Sequence, residues 1–522
     1  MESIVKERLN KSKFAVCASI LIAAACVLHL FAAERWAGFL SDQRLFVQWW
    51  QSIQQFGLGG AYAQNGSINY PPFFLLLMDG YGRILKLFGL TPHAGELSFK
   101  TILLFIDLLS MLLAVRLTAG MRSWGWRLAV LALFAFNPAL IADGPVWGQV
   151  DLLHGMLMVL AIASVPKRPW LSGLVMALAV LTKFQAVTVV PIIGIYLLAE
   201  RVRTRRWQPA LQWLAAFLVP WLVTAAYFGA AGGLGAMIRQ AYTDAVGKYT
   251  SVTMNAMNVW FHITGISPAT ADTTKIMGVV TYRALGLMTF AAAAAFVCVY
   301  VVLATRRRLP AEAVLFKAAA SINLAFFMLP TEIHERYGIP ALLFVLFAVV
   351  HDRRWLAPAA ALTVTTFVNL LVVLQRSGGR QGFGRSGPGG NRTGGMGRFG
   401  WGGMTRPGSA MTGNGMTGNG MSGNGMSGNG MTGNGGFHGG NFGSVSPGGG
   451  TFGGIRGFGG FGSGRGSGSA LSAAYAWIAI VNVAVLLLLF WLLWREIRPS
   501  RGASSSAAEE ARQKETASSP SQ

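Results

Sequence analysis

The chain has 522 residues, of which 53% are apolar and only 12% are charged. Soluble globular proteins carry about 25% charged residues, so the composition predicts a membrane protein with many spans. The three cysteines lie within apolar runs, which excludes a secreted disulfide scaffold. The net charge of +23 does not indicate nucleic-acid binding, because the basic residues form short clusters between hydrophobic runs, as in the cytoplasmic loops of membrane proteins.

The apolar runs predict an all-α polytopic membrane protein with about twelve transmembrane helices. The predicted spans are residues 14–33, 99–118, 127–144, 152–166, 170–182, 186–199, 208–229, 277–304, 311–329, 337–350, 355–374 and 470–494. In this arrangement every basic cluster between spans falls on one side of the membrane. The positive-inside rule therefore predicts that both termini are cytoplasmic.

A long external loop, residues 34–98, is expected between the first two spans. Its apolar stretch 73–90 is interrupted by Asp79, Gly80, Arg83 and Lys86. A stretch of this kind is typical of a helix that lies along the membrane interface rather than across it.

A second unusual segment, residues 376–469, holds 40 of the chain's 66 glycines and no Asp or Glu. It has too little apolar side chain to offset the entropy of ordering, so we expect a disordered Gly/Met/Asn-rich external loop. Both a cationic arm that contacts anionic envelope polymers and a tolerated insertion fit this composition. Residues 470–494 then form the last span, and residues 495–522 are expected to be a disordered cytoplasmic tail.

Polar residues gather on the predicted external side of residues 1–375. Ionisable side chains at membrane depth usually mark a pathway or a site, because burying a charge there is costly. The candidates are Asp42, Tyr70, Trp147, Gln149, Asp151, Lys183, Gln185, Asn258, His334 and Arg336.

The order of these motifs resembles a known group of enzymes. Asp42 with a following Phe and Trp, then Asn69-Tyr70-Pro71-Pro72, residues 147–151 (WGQVD), Lys183-x-Gln185 and residues 334–337 (HERY) occur in sequence. This set resembles the GT-C superfamily of multispanning glycosyltransferases. More closely, it is similar to the bacterial mannosyltransferase-like group related to the second mannosyltransferase of GPI-anchor synthesis, over about residues 10–375.

The resemblance implies a transferase of the inner (plasma) membrane with its active site on the external, periplasmic face. It implies that a hexose, with mannose favoured, moves from a polyprenyl-phosphate donor to an acceptor hydroxyl, with inversion at the anomeric carbon. In that family an acidic residue of the first external loop is the catalytic base, and the matching position here is Asp42.

The chemistry of such a reaction needs both a base and fixed cations. A sugar hydroxyl is a poor nucleophile until a base takes its proton, and the departing lipid phosphate gains negative charge. We therefore expect Asp42 to be the base and Lys183, Gln185, His334 and Arg336 to bind the donor phosphate. The remaining candidates are expected to bind acceptor or sugar: Tyr70, Trp147, Gln149, Asp151 and Asn258.

Simpler interpretations of the same residues stay open. Asp42 and Asp151 also fit helix N-caps, and Arg336 fits an ion pair with Glu335 or a nearby Asp. Lys183 fits a side chain that snorkels to the headgroups, and Tyr70 and Trp147 fit the aromatic belt of a membrane interface.

A polytopic transporter or lipid-linked-sugar flippase is the alternative function. It predicts polar residues spread through the bilayer midplane and paired broken helices, whereas these charges gather at one surface.

The sequence contains no phosphate loop, zinc motif or usable Cys/His spacing, so we expect no cofactor. A divalent metal is not supported, because two carboxylates without further ligands do not indicate a metal site. The expected partners are the donor lipid, a lipid or glycan acceptor and the membrane.

Overall fold

The protein is described by a computed structural model that covers residues 2–121, 123–244, 247, 249–262, 267–378 and 467–498. The Gly-rich segment and the C-terminal tail, for which the sequence predicts disorder, lie outside the described residues except at their edges. The described part is all-α with one two-stranded hairpin.

The helices of the N-terminal half are α1 (Glu2–Arg35), α2 (Leu40–Gln64), α3 (Pro72–Leu87), α4 (Leu97–Leu117), α5 (Trp124–Ala135), α6 (Pro138–Ile141), α7 (Asp151–Ser164), α8 (Pro169–Thr182), α9 (Val190–Thr204) and α10 (Gln208–Ala230). The remaining helices are α11 (Leu234–Ile238), α12 (Val259–His262), α13 (Tyr282–Arg306), α14 (Ala311–Met328), α15 (Ile339–His351), α16 (Leu356–Gly378) and α17 (Ser467–Ile497). Strands β1 (Lys275–Ile276) and β2 (Val280–Thr281) pair antiparallel, with Lys275 opposite Thr281. π-helical turns at Ala142–Trp147 and Arg239–Thr243 and 3₁₀ turns at Phe184–Val189, Glu335–Gly338 and Arg353–Trp355 complete the set.

Nine helical segments of the described residues are long and apolar enough to cross a membrane. They are Ser12–Arg35, Leu97–Leu117, Trp124–Trp147, Phe184–Thr204, Gln208–Ala230, Tyr282–Arg306, Ala311–Met328, Arg353–Arg376 and Ala474–Ile497. The shorter apolar helices Asp151–Ser164 and Pro169–Thr182 lie between the third and fourth of these. The predicted all-α polytopic membrane fold is confirmed, whereas the count of twelve stays a prediction.

The turns between helices fall into two groups. One group carries the basic clusters, at residues 167–168, 201–206, 306–308 and 353–354. Lys167 Nζ, between α7 and α8, lies 2.7 Å from Glu312 Oε1 in the first turn of α14. The short hairpin of α7 and α8 therefore reaches the same end of the bundle as the turn before α14. We call this end the basic end, and the opposite end the site end.

The predicted external loop 34–98 contains two helices. Pro72 occupies the first position of α3, where its missing N–H leaves no helical hydrogen bond unmade. One face of α2 buries Phe46, Trp49 and Ile53 in a small aromatic core that includes Phe74 of α3 and Phe99 of α4. This core fixes α2 against the start of α4, at the site end.

Glycines let the central helices pack closely. A Cβ added at Gly173 of α8 would lie 2.1 Å from the Trp213 carbonyl oxygen of α10.

The helices differ in how deeply they are buried. Helix α15 is buried from Ile339 to Val349. Helix α10 exposes apolar side chains such as Leu222 and Val223, which the lipid must cover. The bundle therefore holds α8 and α15, whose ends carry site residues, in its interior.

Candidate active site

A cavity of about 280 Å³ opens at the site end of the bundle. Side chains from α2, the segment before α3, the turn after α8 and the turn before α15 line it. The predicted site residues in its lining are Asp42, Tyr70, Gln149, Lys183, Gln185, His334 and Arg336. Positions nearly 300 residues apart in the chain thus meet in one cavity.

Asp42 lies in the first turn of α2. The helix begins at Leu40, and Phe39 is the N-cap residue, so the interpretation of Asp42 as the N-cap is wrong. Its Oδ2 accepts hydrogen bonds from Trp147 Nε1 at 3.0 Å and from Gln149 Nε2. No hydrogen bond to Oδ1 is found among the described residues, so this oxygen is available to a substrate.

The turn that carries Trp147 and Gln149 has an unusual backbone. Its π-helical turn contains Pro145 and is followed by Gly148, which has a φ of 89°. Phe39 stacks on the Trp147 ring with centroids 4.8 Å apart. The packed ring and the left-handed glycine together direct both donors toward Asp42.

A buried ion pair lies beside the base candidate. Lys183 directly follows α8 in an extended conformation and pairs with Asp151, the first residue of α7. The N-cap of α7 is Val150, so Asp151 does not cap this helix. The Lys183 ammonium also lies 4.8 Å from the Tyr337 ring centroid, within cation–π distance. Lys183 is therefore held inside the protein and does not snorkel to the headgroups.

Arg336 lies among three carboxylates. Its Nη1 is 2.9 Å from Glu335 Oε1 and 3.5 Å from Asp42 Oδ2, and its Nε is 3.7 Å from Asp151 Oδ2. The ion pairs that the alternative interpretation of Arg336 predicts are thus present. They do not exclude a phosphate role, because the guanidinium also lines the cavity.

The neighbours of Arg336 have shifted pKa values. Burial, followed by the charges of Arg336 and Lys183, lowers the pKa of His334 well below its ordinary value. The ring is therefore neutral at pH 7 and can donate a hydrogen bond without adding a charge. Burial raises the pKa of the Glu335 carboxyl, although the charge of Arg336 opposes this shift.

The other predicted residues differ in their placement. Tyr70 packs its ring against Phe46, and Gln185 Nε2 donates to the Tyr337 carbonyl at 3.1 Å. Asn258 is buried, does not line the cavity, and donates to the Phe327 carbonyl at 3.3 Å. The structure therefore does not bring Asn258 to the other candidates.

Two charged residues of the lining were not predicted. Arg283, in the first turn of α13, pairs with Asp272 at 2.8 Å and with Glu332 at 2.7 Å. Glu332 has a φ of 65° and accepts hydrogen bonds from the backbone N–H groups of Gly247 and Tyr249. In the sequence, only the position of Arg283 near the start of the predicted span 277–304 could have indicated a role for it.

Within the described ranges, no group of three His, Cys, Asp or Glu residues is placed to hold a metal ion. The arrangement instead combines one carboxylate with a free oxygen and two cations beside it. Such a set suits the removal of a proton from a hydroxyl together with the binding of an anionic leaving group.

Comparison with known families gives one match. The family model described as glycosyltransferase family 87 matches residues 68–330, which is half of the chain. The match includes Asp151 and Lys183, begins after Asp42 and ends before His334. No curated protein matches the chain.

Proposed function

This chain belongs to glycosyltransferase family 87 and is a membrane glycosyltransferase, and we propose that its donor is a polyprenyl-phosphate hexose. The favoured sugar is mannose, and the acceptor is a hydroxyl of a lipid or glycan. The observation that carries the proposal is the meeting of Asp42, Lys183 and Arg336 in one cavity at the site end. The closer relation to the GPI-type mannosyltransferase group belongs to the same proposal.

Asp42 acts as the general base. As the acceptor oxygen attacks the anomeric carbon, Oδ1 takes the hydroxyl proton while Oδ2 stays bound by Trp147 and Gln149. The bond from the anomeric carbon to the phosphate oxygen breaks, and its electron pair leaves with the polyprenyl phosphate. Attack opposite the leaving phosphate inverts the anomeric centre.

Lys183 and Arg336 receive the phosphate. A guanidinium gives planar paired contacts to phosphate, and an ammonium gives a point charge. In the described structure the two cations contact carboxylates, so the phosphate replaces or joins these contacts as it binds. Neutral His334 adds a hydrogen bond, and Gln185 lines the same cavity.

The other candidates divide into two groups under this proposal. Tyr70 and Gln149 line the cavity, which supports a contact with sugar or acceptor. Trp147 holds the base, and Asp151 holds Lys183. Asn258 fixes the turn before α12 and takes no direct part, which replaces its predicted contact with the acceptor.

The site end faces the outside of the cell in this proposal. Basic clusters favour the cytoplasmic side of a membrane, and the Arg and Lys clusters lie at the basic end. The hairpin of α7 and α8 reaches that end, as the contact between Lys167 and Glu312 indicates. Counting α7, α8 and α15 as crossings gives twelve spans, so both termini are on the cytoplasmic side in this proposal. The catalytic domain is assigned to residues 1–375.

A transfer assay tests the proposed reaction. Purified protein in lipid nanodiscs is incubated with polyprenyl-phosphate mannose, glucose or galactose and a membrane extract as acceptor. We expect transfer from one of these donors, and a 10²- to 10⁴-fold lower kcat for Asp42→Asn, since that is roughly what a general base contributes. The matched control is Asp244→Asn, at an exposed carboxylate outside the cavity lining.

Two outcomes contradict the proposal. Undiminished turnover by Asp42→Asn refutes the base assignment. Transfer from a nucleotide sugar but from no polyprenyl-phosphate sugar refutes the donor class.

A further inference from the structure

Gln43 follows the proposed base in sequence and is completely buried, although glutamine is mostly exposed in proteins. Its Nε2 donates to the carbonyl oxygens of Ala37 at 2.9 Å and Trp147 at 2.8 Å. Its Oε1 accepts from the Gly95 N–H at 2.7 Å. One side chain thus joins the turn before α2, the end of the π-helical turn and the loop before α4, and it does not line the cavity.

Lys100 of α4 joins two of the same segments and is fully buried as well. Its Nζ donates to the carbonyls of Ala33 at 3.1 Å and Val146 at 3.3 Å, and to the carbonyl of Trp36. The amino group of Lys100 therefore links the end of α1 and the turn after it to Val146, the residue before Trp147. Both buried side chains thus hold the turn before α2 against the π-helical turn.

Two glycines bring the joined segments into direct contact. Gly38 has a φ of 80°, and a Cβ there would lie 1.9 Å from the Val146 carbonyl oxygen. A Cβ on Gly148 would lie 2.7 Å from the Gln43 side chain. The turn that leads into Asp42 therefore packs on the turn that carries its two hydrogen-bond donors. The amide of Gln43 fills the remaining space between them.

We propose that Gln43 is a positioning residue for sugar transfer, which sets the distance from Asp42 to Trp147 and Gln149. With this spacing Oδ2 is bound by two donors and Oδ1 is left to the acceptor. The inference rests on the proposed role of Asp42 as the base. Gln43 touches neither donor nor acceptor, so its effect on the reaction passes through Asp42.

Replacing Gln43 by methionine tests the proposal, because Met has a similar length and none of the three hydrogen bonds. We expect kcat to fall about 100-fold, since a misplacement of about 1 Å costs that much, while the Kd of polyprenyl-phosphate mannose changes less than about twofold. A cryo-EM structure of the variant is expected to show Trp147 Nε1 beyond hydrogen-bond distance from Asp42 Oδ2. Gln48→Met, on the exposed face of the same helix, is the matched control and is expected to leave both values unchanged.

A double variant separates positioning from a merely structural role. In the Asp42→Asn background, Gln43→Met is expected to cost nothing further, because the base that it positions is already gone. A purely structural role predicts the full 100-fold loss again. If Gln43→Met does not fold, Gln43→Asn carries the same test, because its uncharged amide is one methylene shorter and cannot reach all three partners of Gln43.

The results distinguish this inference from the proposed function. An active Asp42→Asn refutes the base assignment itself. An inactive Asp42→Asn beside a Gln43→Met variant with wild-type kcat, or with the contact between Trp147 and Asp42 intact, overturns the positioning role alone.

Discussion

Arg336 is the residue on which the charges of the site converge. It contacts Glu335, Asp42 and Asp151 at 2.9 to 3.7 Å. In the proposed reaction, a donor phosphate competes with these carboxylates for the guanidinium. Glu335 is the nearest of the three, and burial raises the pKa of its carboxyl. Under this proposal, the protonation state of Glu335 is expected to affect the affinity for the donor.

Donor binding is expected to weaken as the pH rises through the raised pKa of Glu335. Below that pKa the carboxyl is neutral and leaves Arg336 to the phosphate, whereas above it the carboxylate competes. The donor phosphodiester does not titrate in this range, so the trend belongs to the protein. We expect Glu335→Gln to lower the donor KM at high pH roughly fivefold, on the order of 1 kcal/mol, and to flatten its pH dependence.

The matched control for this prediction is Glu96→Gln, at an exposed carboxylate outside the cavity lining. It is expected to keep the wild-type pH profile of the donor KM. A Glu335→Gln variant whose profile matches that of the wild type contradicts the competition.

At the scale of single residues, the candidate site residues were predicted because they fall on the same side of the predicted membrane arrangement. Their hydrogen-bond and ion-pair partners were predicted only in part. Asp42, Lys183 and Arg336 stood out because each belongs to a motif near the end of a predicted span. Lys100, a charge inside the predicted span 99–118, was overlooked. Its partners and those of Gln43 could not be predicted, because they are backbone carbonyls and an N–H. Asn258 stood in a suitable loop, yet its side chain faces the Phe327 carbonyl.

At the scale of elements, α8 brings Lys183 to the site through its contact with α10. Gly173 allows that contact, since a Cβ there would meet the Trp213 carbonyl oxygen. Apolar runs predicted both helices, at residues 170–182 and 208–229, close to the observed Pro169–Thr182 and Gln208–Ala230. Of the two, α10 is long and apolar enough to cross a membrane, and α8 is a shorter apolar helix. Which faces touch was not predictable, because lipid-facing and protein-facing surfaces are both apolar.

Gly173→Ala is expected to destabilise the bundle by about 1–3 kcal/mol, because backbone atoms of α10 cannot yield as a flexible side chain can. It is also expected to lower kcat, because α8 carries Lys183 at its end. Thermal unfolding in detergent and the transfer assay measure the two effects.

Gly194→Ala in α9 is the matched control. Nothing lies within 4 Å of a Cβ at that position, and Ala favours a helix over Gly by about 0.5–1 kcal/mol. Equal melting temperatures for the two variants would contradict a close contact at Gly173.

At the scale of the whole molecule, alternating helices separate basic clusters at one end from the cavity at the other. Hydropathy and charge predicted this separation, because both act on whole segments of the chain. The interior of the predicted external loop 34–98 was less predictable. The sequence predicts a helix at 73–90, where α3 is found. It does not predict that α2 and α3 share an aromatic core with Phe99 of α4.

The most direct test of the proposed reaction is a cryo-EM structure of the Asp42→Asn variant in lipid nanodiscs with a bound polyprenyl-phosphate sugar. Lys183 Nζ and the Arg336 guanidinium are expected within hydrogen-bond distance of the phosphate oxygens, with the anomeric carbon on the side of residue 42. A phosphate bound at the basic end, or a sugar that turns away from residue 42, would contradict it.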